Sequence, residues 1–135
     1  MVVKLRNSKS FVPKLSLVAE CDNKIAGHIL FTEALVNKTG VLALAPLSVA
    51  PEYQNKGIGM SLIKQGHSIA VELGYKYSVV LGYPGYYTKA GYVRASKYGI
   101  MPPFEIEDEK FMAICFDKND AKLNGVIKYD KAFGI

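Results

Sequence analysis

Apolar and polar residues alternate with a period of two from Leu15 to Cys21, the pattern of a strand with one buried face. Asp22-Asn23 predicts a tight turn, because short Asx side chains tolerate turn backbone. A second strand follows from Lys24 to Thr32. A loop around Asn37-Lys38-Thr39-Gly40 leads into a third, Val41 to Val49, so the first half is expected to hold three consecutive antiparallel strands. Pro46 lies inside the third strand. Proline has no N–H to give a ladder, so it marks an edge or a bulge, and a ligand's amides could pair with backbone freed there. Residues 1–13 are polar or mixed and read as a short arm, or the tail of a helix, ending at Pro13.

After Ala50-Pro51-Glu52-Tyr53 the period changes. Ile58, Leu62, Ile63, Ile69, Ala70 and Leu73 fall mostly on one face of a helix, and Gly74 is a C-terminal stop. Tyr77–Leu81 is a short buried strand. The strand–helix–strand order predicts a parallel crossover with Val41–Val49 and Tyr77–Leu81 as neighbours. Gly82-Tyr83-Pro84-Gly85 reads as a turn, and Tyr86–Ala90 as little more than one helical turn, stopped at Gly91. Tyr92–Ala95 is strand-like, 96–110 a long loop, Lys110–Phe116 a strand, and 125–129 a final edge strand. The expected fold class is mixed α/β (α+β), with a mostly antiparallel sheet around one central parallel strand–helix–strand crossover.

A chain of 135 residues with 50% apolar content suits one domain with a real core. Charged residues make up 21%, which argues against disorder. No apolar stretch is long enough for a membrane helix, and no signal peptide is evident at Met1–Arg6; a cytoplasmic protein without membrane partners is expected. Cys21 and Cys115 sit in apolar alternations and read as buried, reduced thiols. His28 and His67 are isolated, no cluster has zinc-ligand spacing, and no metal is expected. The net charge of +5 comes from scattered lysines and arginines. Without a basic cluster interleaved with aromatics, nucleic acid is not an expected partner.

Candidate chemistry concentrates in Gln54-Asn55-Lys56-Gly57-Ile58-Gly59, between a strand and a helix. Glycines let backbone N–H groups approach a ligand closely, and a helix N-terminus offers unpaired N–H groups suited to phosphate. The nucleotide P-loop pattern is absent, and a dinucleotide fingerprint would need glycine where Leu62 stands. A glycine-rich helix entry with no ligand is the alternative at this level.

The stretch from Leu44 to Ile63 resembles the acyl-CoA-binding motif of the GNAT superfamily of N-acyltransferases, Gln/Arg-x-x-Gly-x-Gly/Ala, matched by Gln54, Gly57 and Gly59. Tyr86-Tyr87-Thr88-Lys89-Ala90-Gly91-Tyr92 resembles the family's Leu-Tyr-x-x-x-Gly-Phe element. Gly82–Tyr87 resembles a bacterial subgroup of predicted acetyltransferases, with Tyr83 and Gly85 where that subgroup often has His and Glu. The resemblance covers about residues 11 to 133. It implies a GNAT-like fold and acetyl-CoA as co-substrate. The backbone of Leu47, Ser48 and Val49 would pair with the pantetheine arm, and the backbone of Gln54, Asn55, Lys56, Gly57, Ile58, Gly59 and Met60 would hold the pyrophosphate. Tyr87 would protonate the leaving thiolate. An acceptor amine, small molecule or peptide, would attack the thioester directly.

A general base is not identifiable in the sequence; Glu33, Glu52 and a water relay are candidates. The acidic residues between Glu105 and Glu109 read as a solvated loop, or as an attractor for a cationic acceptor. The family fold usually opens with a strand and two helices, and only about a dozen residues precede the first hairpin here. The chain is therefore read as one N-terminally short domain, 1–135, with a homodimer covering the exposed sheet edge. A non-catalytic acyl-CoA-binding or regulatory module is the competing function.

Overall fold

The structure, a computed structural model, describes residues 11–117 and 122–129. Strands β1 (Phe11–Cys21), β2 (Lys24–Val36) and β3 (Thr39–Val49) form an antiparallel meander. Both turns rest on left-handed Asx residues: φ is 53° at Asp22, 63° at Asn23 and 56° at Asn37. These are the residue types that enter this region most readily after glycine. Helix α1 (Ile58–Glu72) returns the chain to β4 (Tyr77–Leu81), which runs parallel to β3. The remaining elements are a single turn of helix α2 (Pro84–Tyr87), then β5 (Val93–Arg94), β6 (Ile100–Met101), β7 (Phe111–Cys115) and β8 (Gly125–Lys128). Their spatial order is β5-β7-β4-β3-β2-β8-β6, with β1 also paired to β2. This is the expected mixed sheet with one parallel crossover.

Alternation along the central strands splits the core into two layers. Leu42 and Leu44 of β3, Val80 of β4 and Met112 of β7 face α1, where they meet Leu62, Ile63 and Ala70. Val41, Ala43, Tyr77, Val79, Phe111 and Ala113 face the opposite side, under Ala95, Tyr98, Ile100 and Ile127. Strand β2 is buried on both faces and bridges the layers, with Phe31 on the α1 side and Ala34 and Val36 on the other.

The chain departs from the sequence expectation in several places. Phe11 to Pro13 belong to β1, not to an arm; the rest of that segment lies outside the described residues. Residues 96–110 are not an uninterrupted loop: a 3-10 turn at Ala95–Tyr98, strand β6 and another 3-10 turn at Asp108–Lys110 organise them. Strand-like backbone at 92–95 shrinks to Val93–Arg94. Strand β8 is not an edge. It pairs with β2 at Leu35 and Val36 and with β6 on its other side. The 13-residue β2 is long enough for β1 and β8 to share one of its flanks. Leu73, expected on the buried face of the helix, is exposed, and Cys21 and Cys115 are free thiols but only half-buried.

Candidate active site

Two adjacent parallel strands separate and leave an opening. β3 pairs with β4 only at Leu42–Ser78 and Ala43–Val79. Beyond that, β4 continues through Val80 and Leu81 against β7 alone, while β3 follows β2 to Val49. Among the described residues, nothing thus pairs with Leu44 to Val49 on the flank toward β4. The divergence coincides with an irregularity. Between the pairs Ile29–Leu47 and Phe31–Leu44, β3 spends two residues, Ala45 and Pro46, against Leu30 on β2. This is the bulge expected at the proline, and bulges bend the strand that carries them. The opening lies at the carboxyl ends of parallel strands, where α/β sheets commonly bind ligands.

The start of α1 closes one side of this opening. Tyr53, buried, donates its hydroxyl to the Cys21 carbonyl at 3.3 Å and ties the loop to the first hairpin. The Gln54 side-chain amide donates to the Val49 carbonyl at 3.2 Å. Asn55 (φ 63°) and Gly57 (φ 80°) then reverse the chain in left-handed conformations. Gly57 is the N-cap, and no side chain caps the helix. The first intrahelical bond runs from the Ser61 N–H to the Gly57 carbonyl at 3.0 Å, so the N–H groups of Ile58, Gly59 and Met60 are free of helical partners. All three residues line the opening, at the positive end of the helix dipole.

Together these elements line a cavity of about 710 Å³. Of the residues expected from the sequence, Leu47, Val49, Gln54, Asn55, Gly57, Ile58, Gly59 and Met60 reach its wall. Ser48 does not; it stands opposite His28 across the β2–β3 ladder. Lys56 lies just outside, its ammonium 5.6 Å from the centre of the Tyr53 ring. Lys64, Lys89, Tyr53 and Tyr86 also line the cavity and were missed in the sequence. Lys64 carried a signal, since it follows Met60 by four residues and so shares its helix face. Among the described residues no carboxylate lines the cavity; its polar wall consists of hydroxyl, amide and ammonium groups, which suits an anion.

Tyr87 is not among the residues that line the cavity, though its neighbour Tyr86 is; it is partly buried against the α1-side core. A methyl group at Gly82 would run into its ring. The ring stands edge-on to Tyr86 at 5.1 Å and to Tyr92 at 5.8 Å. Burial, with a smaller contribution from Tyr86, raises its pKa above the ordinary phenol value. Tyr92 is buried, and its hydroxyl lies 2.9 Å from His67 Nε2 and 2.8 Å from Ser78 Oγ. Glu33 is committed elsewhere: its carboxylate accepts the Tyr75 hydroxyl at 2.6 Å, near the far end of α1. Glu52 is exposed in the 3-10 turn before the loop. In the acidic segment, Asp108 accepts from Arg94 at 3.4 Å and Ser96 at 3.2 Å, and Glu107 pairs with Lys110 at 2.8 Å. Among the described residues, no group of three or more His, Cys, Asp or Glu side chains could hold a metal, and no helix is long and apolar enough to cross a membrane.

Comparison with known proteins bears on this arrangement. The model of the Acetyltransferase (GNAT) family matches residues 4–92. The "Uncharacterized N-acetyltransferase YjhQ" of Escherichia coli is 37% identical over 114 residues, which is 81% of this chain and 63% of that protein. The "Uncharacterized N-acetyltransferase YhbS" of the same species is 29% identical over 89 residues, 64% of this chain and 53% of that one. The chain thus spans between half and two-thirds of the length of these curated relatives. Among solved structures, E. coli YhbS in complex with CoA superposes with a TM-score of 0.88 at 25% identity, over 99% of this chain and 76% of that one. A GNAT family acetyltransferase from Brucella melitensis in complex with acetyl-CoA superposes with a TM-score of 0.77 at 31% identity, over 98% and 75%.

Proposed function

The chain belongs to the GNAT acetyltransferase family, and from that premise we propose that it binds acetyl-CoA between β3 and β4 and transfers the acetyl group to a primary amine. The observation that carries this reading is the coincidence of two unsatisfied backbone features. The free flank of β3 and the uncapped N–H groups of α1 open into one cavity.

Coenzyme A has the complementary parts in the same order. Its pantetheine amides would pair with the backbone of Leu47, Ser48 and Val49 along the free flank. Its diphosphate would lie against the backbone from Gln54 to Met60, where glycines keep side chains out of the way. That CoA and acetyl-CoA accompany the two solved relatives supports the choice of ligand.

Chemistry would then need little beyond positioning. The amine nitrogen attacks the thioester carbonyl carbon, the C–S bond breaks, and the sulfur departs as a thiolate. Tyr87 donates its phenolic proton to that sulfur, and the surplus proton on nitrogen passes to solvent. Tyr87 carries its phenolic proton at neutral pH, as an acid needs to. Holding the thioester in a fixed slot converts an encounter into an oriented reaction. Neither Cys21 nor Cys115 lines the cavity, and direct attack requires no cysteine.

Release of free thiol from acetyl-CoA across a panel of amines tests the reading. Tyr87→Phe should lower turnover by roughly 10²-fold or more while acetyl-CoA still binds. Unchanged turnover would remove Tyr87 from the mechanism. Binding of acetyl-CoA without thiol release for any amine would make the chain an acyl-CoA-binding module instead.

A further inference from the structure

Tyr86 and Tyr87 are adjacent, yet the fold separates them. Tyr87 points inward, where its ring is boxed between Gly82 and Tyr92. Tyr86 is 37% exposed and lines the cavity. Its hydroxyl lies against Gly59, so closely that a methyl group there would collide with the oxygen; the next side chain at that point is Val49, 3.6 Å from where the methyl would sit. The phenol therefore occupies the corner where the free flank of β3 meets the first turn of α1. Its ring is held edge-on to Tyr87, with an interplanar angle of 87°. No hydrogen bond joins its hydroxyl to the other described residues. At neutral pH a phenol keeps its proton, so this exposed hydroxyl offers a donor to the cavity. The neighbouring cavity groups are also donors: the N–H groups of Ile58, Gly59 and Met60, and the ammonium groups of Lys64 and Lys89.

We propose that Tyr86 is a ligand-binding residue whose hydroxyl donates to the diphosphate of the bound coenzyme, adding a side-chain donor to the α1 amides. The inference rests on the acetyl-CoA reading of this site. The diphosphate is the part of the coenzyme that supplies acceptors beside Gly59. The pantetheine amides fall farther along β3, toward Leu47. It also accounts for Gly59 itself: a side chain there would take the space in which the phenol oxygen and a phosphate must meet.

Nuclear magnetic resonance titrations of wild type and Tyr86→Phe, with acetyl-CoA and with ADP, test this. ADP keeps a diphosphate and lacks the pantetheine, and the method reads dissociation constants into the millimolar range. The variant removes one oxygen that bonds to none of the other described residues, so its spectrum should remain that of the folded chain. The expected result is a Kd raised by roughly tenfold for both ligands, the loss of one hydrogen bond to a charged acceptor. A loss confined to acetyl-CoA, with ADP unchanged, would move the contact to the pantetheine and overturn the proposal. Equal affinity of variant and wild type for both ligands would overturn it as well. Failure of wild type to bind acetyl-CoA would instead sink the acetyl-CoA reading, and this inference with it.

Discussion

His67 packs among the rings of Phe31, Tyr92 and Phe116, and burial holds its imidazole down at about 4, from an ordinary 6.5. Neutral His67 can accept the Tyr92 hydroxyl at Nε2, leaving Tyr92 to accept from Ser78. The unfolded chain takes up this proton near pH 6.5 and the folded chain only near pH 4. Between those values the unfolded state binds more protons. Stability is therefore full above pH 6.5 and falls as pH drops toward 4, by roughly 3 kcal/mol in total. Denaturant unfolding at steps from pH 7 to 5, where carboxylates hardly titrate, should show this slope in wild type and a much flatter one in His67→Gln. Equal slopes would mean that His67 does not carry the effect. None of this was legible in the sequence, where His67 looks like any isolated helical histidine. The same limit applies at Tyr86 and Tyr87: two consecutive tyrosines announce an aromatic site, but only the seat at Gly82 and the approach to Gly59 tell the inner phenol from the outer one.

Elements were legible where local chemistry decided them. The meander followed from alternation plus Asp22, Asn23 and Asn37, residue types suited to the backbone those turns adopt. Helix α1 followed from its apolar spacing and from Gly74 (φ 90°) at its end. β6 and β8 were not legible as partners. Ile100–Met101 is two residues long, abuts Pro102-Pro103, and its pairing with Gly125–Val126 joins positions that no local pattern connects. Gly66 shows what periodicity misses inside a helix. It is buried in the middle of α1, and a methyl there would strike the fully buried Phe31 ring. Alanine in a helix gains about 1 kcal/mol over glycine, but overpacking a filled core costs about 1–3 kcal/mol. Gly66→Ala is thus expected to lower the thermal midpoint. A raised midpoint would show that α1 does not lie that close to β2.

At the scale of the whole molecule, function depends on a feature that no single element contains. A central sheet satisfies its backbone groups by pairing, and this one stops doing so where β3 and β4 diverge. α1 begins beside that gap with its own N–H groups unsatisfied, and the described residues that line the gap include lysines and tyrosines and no carboxylate. The Gln54–Gly59 segment and Pro46 pointed to both halves of the gap from the sequence. The divergence of the two strands, which makes them one cavity, is tertiary, and the scattered net charge of +5 did not foretell that Lys64 and Lys89 would share a wall. We read this cavity as an acyl-CoA site. Isothermal titration of the chain with acetyl-CoA tests it most directly. Saturable binding at a single site is expected, with a dissociation constant on the order of micromolar, about −8 kcal/mol. No heat of binding up to millimolar acetyl-CoA, from protein that is folded by circular dichroism, would contradict it.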